Sequence, residues 1–202
     1  MDKIYAIIPS YDPDIAIMEA FIVELRRTFD NIIIVNDGSN SKYDAFFEAF
    51  KRDGIVVLNH KVNQGKGRAM KSAFNYLLDH HPDFEACVSA DCDGQHAVKD
   101  IKNVGLLARK NPNNLILGVR DFDHGNVPAK SRFGNKMTRG VFKIFIGLDI
   151  TDTQTGLRGF SKKMCEVFLG VIGERYEFES NMLIECKNMD ITIQETTIDT
   201  IY

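Results

Sequence analysis

The chain has 202 residues, 44% of them hydrophobic and 26% charged, with a formal net charge of −3. That length suits one sizeable α/β core and would crowd two full domains, and the mild negative charge removes any global electrostatic argument for a nucleic-acid partner. No apolar run approaches the roughly 20 residues that a membrane span requires. The four cysteines, Cys87, Cys92, Cys165 and Cys186, show no C-x-x-C spacing, so free thiols in a reducing compartment are expected. Met1–Tyr11 leads into a strand-like segment with a single early lysine, unlike a secretory leader.

In chain order, Ile4–Ile8 is an apolar run stopped by Pro9 and predicts a strand, and Asp12–Phe29 follows with Ile15, Met18, Ile22 and Leu25 on one helical stripe. Ile32–Val35 predicts a second strand, closed by the turn formers Asn36-Asp37-Gly38-Ser39. A helix over Tyr43–Arg52, a strand over Ile55–Leu58 and a helix over Gly67–Leu78 come next, then a strand over Ala86–Ala90, a helix over Val98–Lys110 and a strand over Leu115–Val119. Arg120–Lys136 contains Gly125 and Pro128 and is expected to begin as a mobile loop. From Ser131 a helix is expected, with Phe133, Met137, Val141, Phe145 and Leu148 on one side, and Ile191–Tyr202 reads as β-branched strand. Short apolar strands alternating with helices predict a mostly parallel, doubly wound sheet. Ligands in such sheets bind beyond the carboxyl ends of the strands, where strand order reverses. Asp12, Asp37 and the pair Asp91 and Asp93 all follow predicted strands, so they are expected to gather along one edge.

The densest chemistry lies in Val-Ser-Ala-Asp-Cys-Asp-Gly-Gln-His at 88–96, where Asp91 and Asp93 stand two positions apart ahead of Gly94. Paired carboxylates at a strand end suit a hard divalent cation, since Mg²⁺ binds one or two carboxylates together with substrate phosphates; a solvated acidic turn is the plainer alternative. Asp37 is placed to accept hydrogen bonds from a base edge or ribose, although turn formation also explains its segment. Asn63-Gln64-Gly65-Lys66-Gly67-Arg68 is a glycine-flanked basic loop before a helix, a place where backbone amides favour anions, but it is not a Walker loop. His96 is expected to play a polar part beside the acidic pair. Asp152–Phe160 reads as an irregular loop lining an acceptor pocket or as a plain entry to a strand. Arg120, Arg132 and Arg158 have the planar fork that suits phosphate. Tyr176-Glu177-Phe178-Glu179 sets carboxylates among aromatics, where burial can tune one for proton transfer or helix capping can account for them.

These pieces, in their order and spacing, resemble an inverting family 2 glycosyltransferase with the GT-A fold. Within that family they are most similar to the dolichyl- or polyprenyl-phosphate mannosyl- and glucosyltransferases. The resemblance covers nearly the whole chain: Ile-Ile-Pro-Ser-Tyr, Val-Asn-Asp-Gly-Ser, Asn-Gln-Gly-Lys-Gly-Arg-Ala, Asp-Cys-Asp-Gly-Gln-His, Gly-Val-Arg, Ser-Arg-Phe-Gly-Asn, Asp-Thr-Gln-Thr-Gly-Leu-Arg and Tyr-Glu-Phe-Glu. It implies one catalytic domain over 1–202, with a nucleotide-sugar half at 1–119 and an acceptor half at 120–202, continuing in the natural protein beyond residue 202. Pro9, Tyr11 and Asp37 would line the nucleoside pocket, with Lys66 nearby and either Asp12 or Asp14 joining them. Asp91 and Asp93, a DXD motif, would hold Mg²⁺ or Mn²⁺ against the diphosphate with Gln95 close by. Arg120, Ser131, Arg132 and Arg158 would address the acceptor phosphate or the leaving group, and Glu179 is the candidate base. The implied partners are a GDP- or UDP-hexose donor and a polyprenyl-phosphate acceptor at the cytoplasmic face of a membrane, where Val141–Leu148 could rest in the interface. Two alternatives remain open: a family 2 enzyme acting on a sugar hydroxyl in surface polysaccharide synthesis, and a nucleotide-sugar-binding module without turnover.

Overall fold

The computed structural model describes residues 3–120, 140, 143–144 and 147–199. Strands β1 (Ile4–Ser10), β2 (Asn31–Asn36), β3 (Val56–Asn59), β4 (Ala86–Ser89), β5 (Asn114–Arg120), β6 (Arg158–Ser161) and β7 (Thr192–Ile198) form one seven-stranded sheet in the order β3-β2-β1-β4-β6-β5-β7. Helices α1 (Ile15–Leu25), α2 (Asp44–Arg52), α3 (Lys66–His80), α4 (Val98–Lys110), α5 (Lys162–Leu169) and α6 (Glu177–Asn188) cover it.

Strand periodicity divides the core into two layers. Ile4, Ala6 and Ile8 face α1, α2 and α4 with Met18, Phe47 and Ile101, whereas Ile7, Ile33 and Val35 face α3, α5 and α6 with Phe74, Phe168 and Phe178. Both faces of the central strands are therefore dry, which explains why their sequences read as continuous apolar runs. The β1–β2, β1–β4, β2–β3 and β5–β7 pairs are parallel, as expected for this alternation. The exception is β6, which runs antiparallel to both β4 and β5, with Ser89 opposite Arg158 and Leu117 also opposite Arg158.

Several boundaries differ from the predicted ones for local reasons. The first helix begins at Ile15, not Asp12, because Asp14 caps it, its carboxylate accepting from the Ile17 amide at 3.0 Å. Asp12 instead adopts a positive φ of 44° and ties the chain to the next turn: its amide donates to Ser39 Oγ at 3.0 Å and its carboxylate accepts from the Asn40 amide at 2.8 Å. The helix ends at Leu25, and Phe29 tucks into the core after a turn. Tyr43 belongs to a short 3₁₀ turn, Ser41–Tyr43, that precedes α2. Most of the helix expected from Ser131, with Ser131 and Arg132 themselves, lies outside the described residues.

Candidate active site

Strand order reverses at β1: β2 lies on one side and β4 on the other. The crevice past their carboxyl ends holds a cavity of about 1040 Å³, walled by Tyr11 after β1, Asp37 after β2 and Asp91 and Asp93 after β4. Residues 54 positions apart in sequence, Asp37 and Asp91, thus meet in one cleft. Because β6 runs the other way, its beginning lies at this same rim, and Thr153 and Gln154 form the facing wall with Tyr176, Glu179 and Ser180 from the α6 entrance.

Asp37 is 3% exposed and largely committed to the scaffold. It accepts from the Gln64 amide at 2.9 Å and the Gly65 amide at 2.7 Å, and pairs with His60 Nδ1 at 2.6 Å; His60 Nε2 in turn meets Ser72 Oγ at 2.8 Å. A carboxylate offers about four lone-pair positions, so one remains for a ligand. The Gln64–Gly65 loop is thereby fastened to β2, which sets where Lys66 begins.

Lys66 is the hub. Its Nζ lies 2.6 Å from Asp91 Oδ1 and 2.8 Å from Glu179 Oε1. Burial alone would lower the Lys66 pKa, but the charges of Asp91 and Glu179 outweigh it and raise the value. Burial alone would likewise raise that of Asp91; the His96 imidazole and the Lys66 ammonium overcome it and hold the carboxyl well below the usual carboxylate range. His96, with Nε2 3.8 Å from Asp91 Oδ2, takes the polar place expected beside the acidic pair. A Cβ on Gly156 would lie 2.2 Å from Asp91 Oδ2, so any larger residue there pushes the carboxylate aside. Asp93 is exposed at the cavity wall, and its Oδ1 accepts from the Gln95 amide at 3.0 Å.

Other expected site residues divide. Pro9, Tyr11, Asp37, Lys66, Asp91, Asp93 and Glu179 all line the cavity. Gln95 reaches it only through its backbone contact to Asp93, and Asp12 serves the turn described above. Arg158 does not present its fork to a ligand. It is 1% exposed and donates to the carbonyls of Thr155 at 3.0 Å, Glu179 at 2.7 Å and Thr153 at 3.4 Å, so it braces the wall from behind. Arg120 is held by buried Asp152 through two hydrogen bonds of 2.7 and 3.2 Å. The glycines of the basic loop also have a different task from the expected anion cradle. A Cβ on Gly65 (φ 102°) would meet the Glu174 carbonyl at 2.5 Å and one on Gly67 would meet Phe178 Cβ at 2.6 Å, while the Arg68 amide donates to that same Glu174 carbonyl. The helix start is filled by the chain's own segment 174–178, and this contact delivers Glu179 to Lys66.

Thr153 and Gln154 come from the Asp152–Phe160 segment read as a pocket-lining loop, but sequence reasoning did not single out Arg175 and Ser180 as wall residues, nor the dependence of Asp91 on Gly156. The cue available was Gly156 itself, a small residue in a polar run whose strand would pair against the acidic strand.

The donor set fits a hard cation on two grounds. Both carboxylates are oxygen ligands at the cavity wall, and Oδ1 of Asp91 faces a positive charge while Oδ2 is backed by Gly156. Two carboxylates match the one or two that Mg²⁺-type sites use, the rest coming from phosphate and water; among the described residues no group of three His, Cys, Asp or Glu side chains comes together. Cys92, between them, is kept protonated chiefly by burial, which pushes its thiol up.

Comparison with known proteins gives these observations a family. Residues 5–169 match the family described as "Glycosyl transferase family 2". An uncharacterised protein of Methanocaldococcus jannaschii is 29% identical over 205 residues, spanning 100% of this chain and 82% of that protein. The UDP-N-acetylglucosamine–dolichyl-phosphate N-acetylglucosaminyltransferase of Methanococcus voltae is 29% identical over 221 residues, spanning 98% of this chain and 86% of the relative. In structure, the chain is similar to the glucosyl-3-phosphoglycerate synthase of Mycobacterium tuberculosis in complex with Mn²⁺, UDP and phosphoglyceric acid. The TM-score is 0.72 at 13% identity, covering 98% of this chain and 70% of that one, a likeness that shows the GT-A fold. The extent of the family match, over a sheet whose acidic strand ends converge, identifies the chain as a member of glycosyl transferase family 2.

Proposed function

We propose that this nucleotide-sugar glycosyltransferase is an inverting hexosyltransferase that uses a divalent cation and a polyprenyl phosphate acceptor. The observation that carries the reading is that Asp37, Lys66, Asp91 and Asp93 line one cavity large enough for a nucleotide sugar, with Lys66 paired to Asp91. Tyr11 and Pro9 would stack and pack against the nucleoside, with the remaining acceptor position of Asp37 taking a base or ribose donor. Asp91 and Asp93 would hold Mg²⁺ or Mn²⁺, which when bound supplies positive charge to the departing diphosphate. A phosphate oxygen of the acceptor attacks the anomeric carbon in line; the new C–O bond forms as the bond to the diphosphate breaks, the electron pair leaving with the nucleoside diphosphate. Such a nucleophile is already ionised near neutral pH, which agrees with a cavity carboxylate, Glu179, engaged by Lys66 rather than poised alone. Arg120, together with Ser131 and Arg132 outside the described residues, would address the acceptor phosphate, and 1–119 and 120–202 would then be the donor and acceptor halves of one domain.

The name of the Methanococcus voltae relative supports the lipid-phosphate acceptor. Among the described residues no helix is long and apolar enough to cross a membrane. A sugar-hydroxyl acceptor is the second reading, favoured by the one observation that Glu179 stands in the cavity wall as a carboxylate able to take a proton. Titration calorimetry with UDP- and GDP-sugars and Mn²⁺ tests the donor side. Metal-dependent binding is expected for the native chain and is lost in Asp93→Ala, with the circular dichroism spectrum unchanged. Undiminished metal-dependent affinity in that variant refutes the assignment, and product formation from polyprenyl phosphate against a free saccharide decides the acceptor.

A further inference from the structure

Resting on that reading, we infer that Lys66 is a built-in competitor for the cation site, and that it ties the cation's affinity to the presence of the nucleoside diphosphate. The argument starts with Asp91. Its Oδ2 lies beside Gly156 and 3.8 Å from His96 Nε2, whereas Oδ1 is the atom that Lys66 holds at 2.6 Å, so a cation that takes Oδ1, singly or with Oδ2, meets that ammonium. An ammonium and a divalent cation on one oxygen repel strongly in a partly buried setting. One of them has to move, and Lys66 is the one with somewhere to go. Its root is anchored, since the Gly65 amide is fixed on Asp37, but its flexible four-carbon stem lets the ammonium swing. It has a second carboxylate, Glu179, at 2.8 Å, and a diphosphate in the same cavity would offer further oxygens.

Two consequences follow. Without nucleotide the cation meets a carboxylate already neutralised from within and binds weakly. With the diphosphate in place, the ammonium transfers from Asp91 to phosphate oxygens, and Oδ1 is released to the cation. Cation and nucleotide then strengthen each other by more than direct coordination supplies, a coupling that is reciprocal by linkage. The protein is thereby guarded against filling its site with a cation that has no donor to serve.

The test measures Mn²⁺ binding by the loss of the free-ion electron paramagnetic resonance signal, for the native chain, Lys66→Met and Lys66→Arg, each with and without UDP or GDP. Lys66→Met is expected to bind Mn²⁺ alone at least about tenfold tighter than the native chain, with a smaller gain on adding nucleotide. Lys66→Arg, which keeps the positive charge, should stay within about threefold of native. Thermal unfolding checks that both variants are folded. Equal or weaker Mn²⁺ binding by folded Lys66→Met without nucleotide overturns the inference while leaving the function intact, provided Mn²⁺ and nucleotide still bind together. Failure of Mn²⁺ to bind any form at any nucleotide concentration overturns both.

Discussion

Replacing Gly156 with alanine should damage the site while barely touching the fold. The new Cβ would lie 2.2 Å from Asp91 Oδ2 and 2.8 Å from its Cγ, so the carboxylate must withdraw by about 1 Å to reach ordinary contact. Lengthening the 2.6 Å contact to Lys66 by that amount weakens it by about 2 kcal/mol at an effective dielectric constant near 20. Asp91 is 37% exposed, and solvent screening reduces the loss to about 1 kcal/mol. For a chain of this size that corresponds to a melting temperature lower by roughly 2–4 °C. Function is far less forgiving, because an ångström of displacement at a reacting centre can cost about 100-fold. Differential scanning fluorimetry and Mn²⁺-dependent nucleotide binding, measured on the same preparation, separate the two effects. Native nucleotide affinity in a well-folded Gly156→Ala chain would refute the reasoning, since it would mean that Asp91 either has room to spare or does not serve the cation.

Two further outcomes are expected. Arg158→Met should orphan carbonyls of Thr153, Thr155 and Glu179 and cost about 3–5 kcal/mol, seen as a fall of roughly 6–20 °C in Tm; a fall below 2 °C would mean that the guanidinium is not bracing the wall. For pH, the carboxyl of Asp91 is depressed in the folded chain, so its contribution to stability is fully present above the ordinary carboxylate value of about 3.9 and is withdrawn as pH falls through the lower folded value. Carbon-13 NMR of the Asp91 side chain should show it still ionised at about pH 3, with titration moving upward in Lys66→Met. Titration of native Asp91 at the ordinary value contradicts the pairing.

Much of the architecture around the crevice was readable because its signals are local. Each apolar run that ends in a turn former became a strand that ends at the crevice, and the order of the acidic residues along the chain was enough to expect their meeting. Helix boundaries slipped where a cap outranked periodicity, as at Asp14. The direction of β6 was not readable, since four residues, Arg158–Ser161, carry no mark of which way they run. That ignorance hid the role of Gly156 and led to the expectation that Arg158 serves phosphate, when burial commits it to backbone carbonyls. The glycines at 65 and 67 illustrate the same limit: their spacing resembled an anion loop, but what approaches them comes from more than 100 residues downstream.

The reversed strand β6 has one more implication, for how such a scaffold diversifies. The chain leaves the sheet at Arg120 and returns at Arg158 on the same rim, and the residues just before its return are tied down: Asp152 to Arg120, Thr153 and Thr155 to Arg158, and Gly156 against Asp91. A scaffold of this kind diversifies only where such ties are absent, since a change in the returning segment is passed to the acidic strand through the pairing of Ser89 with Arg158 and the bond from Ser89 Oγ to the Gly156 carbonyl.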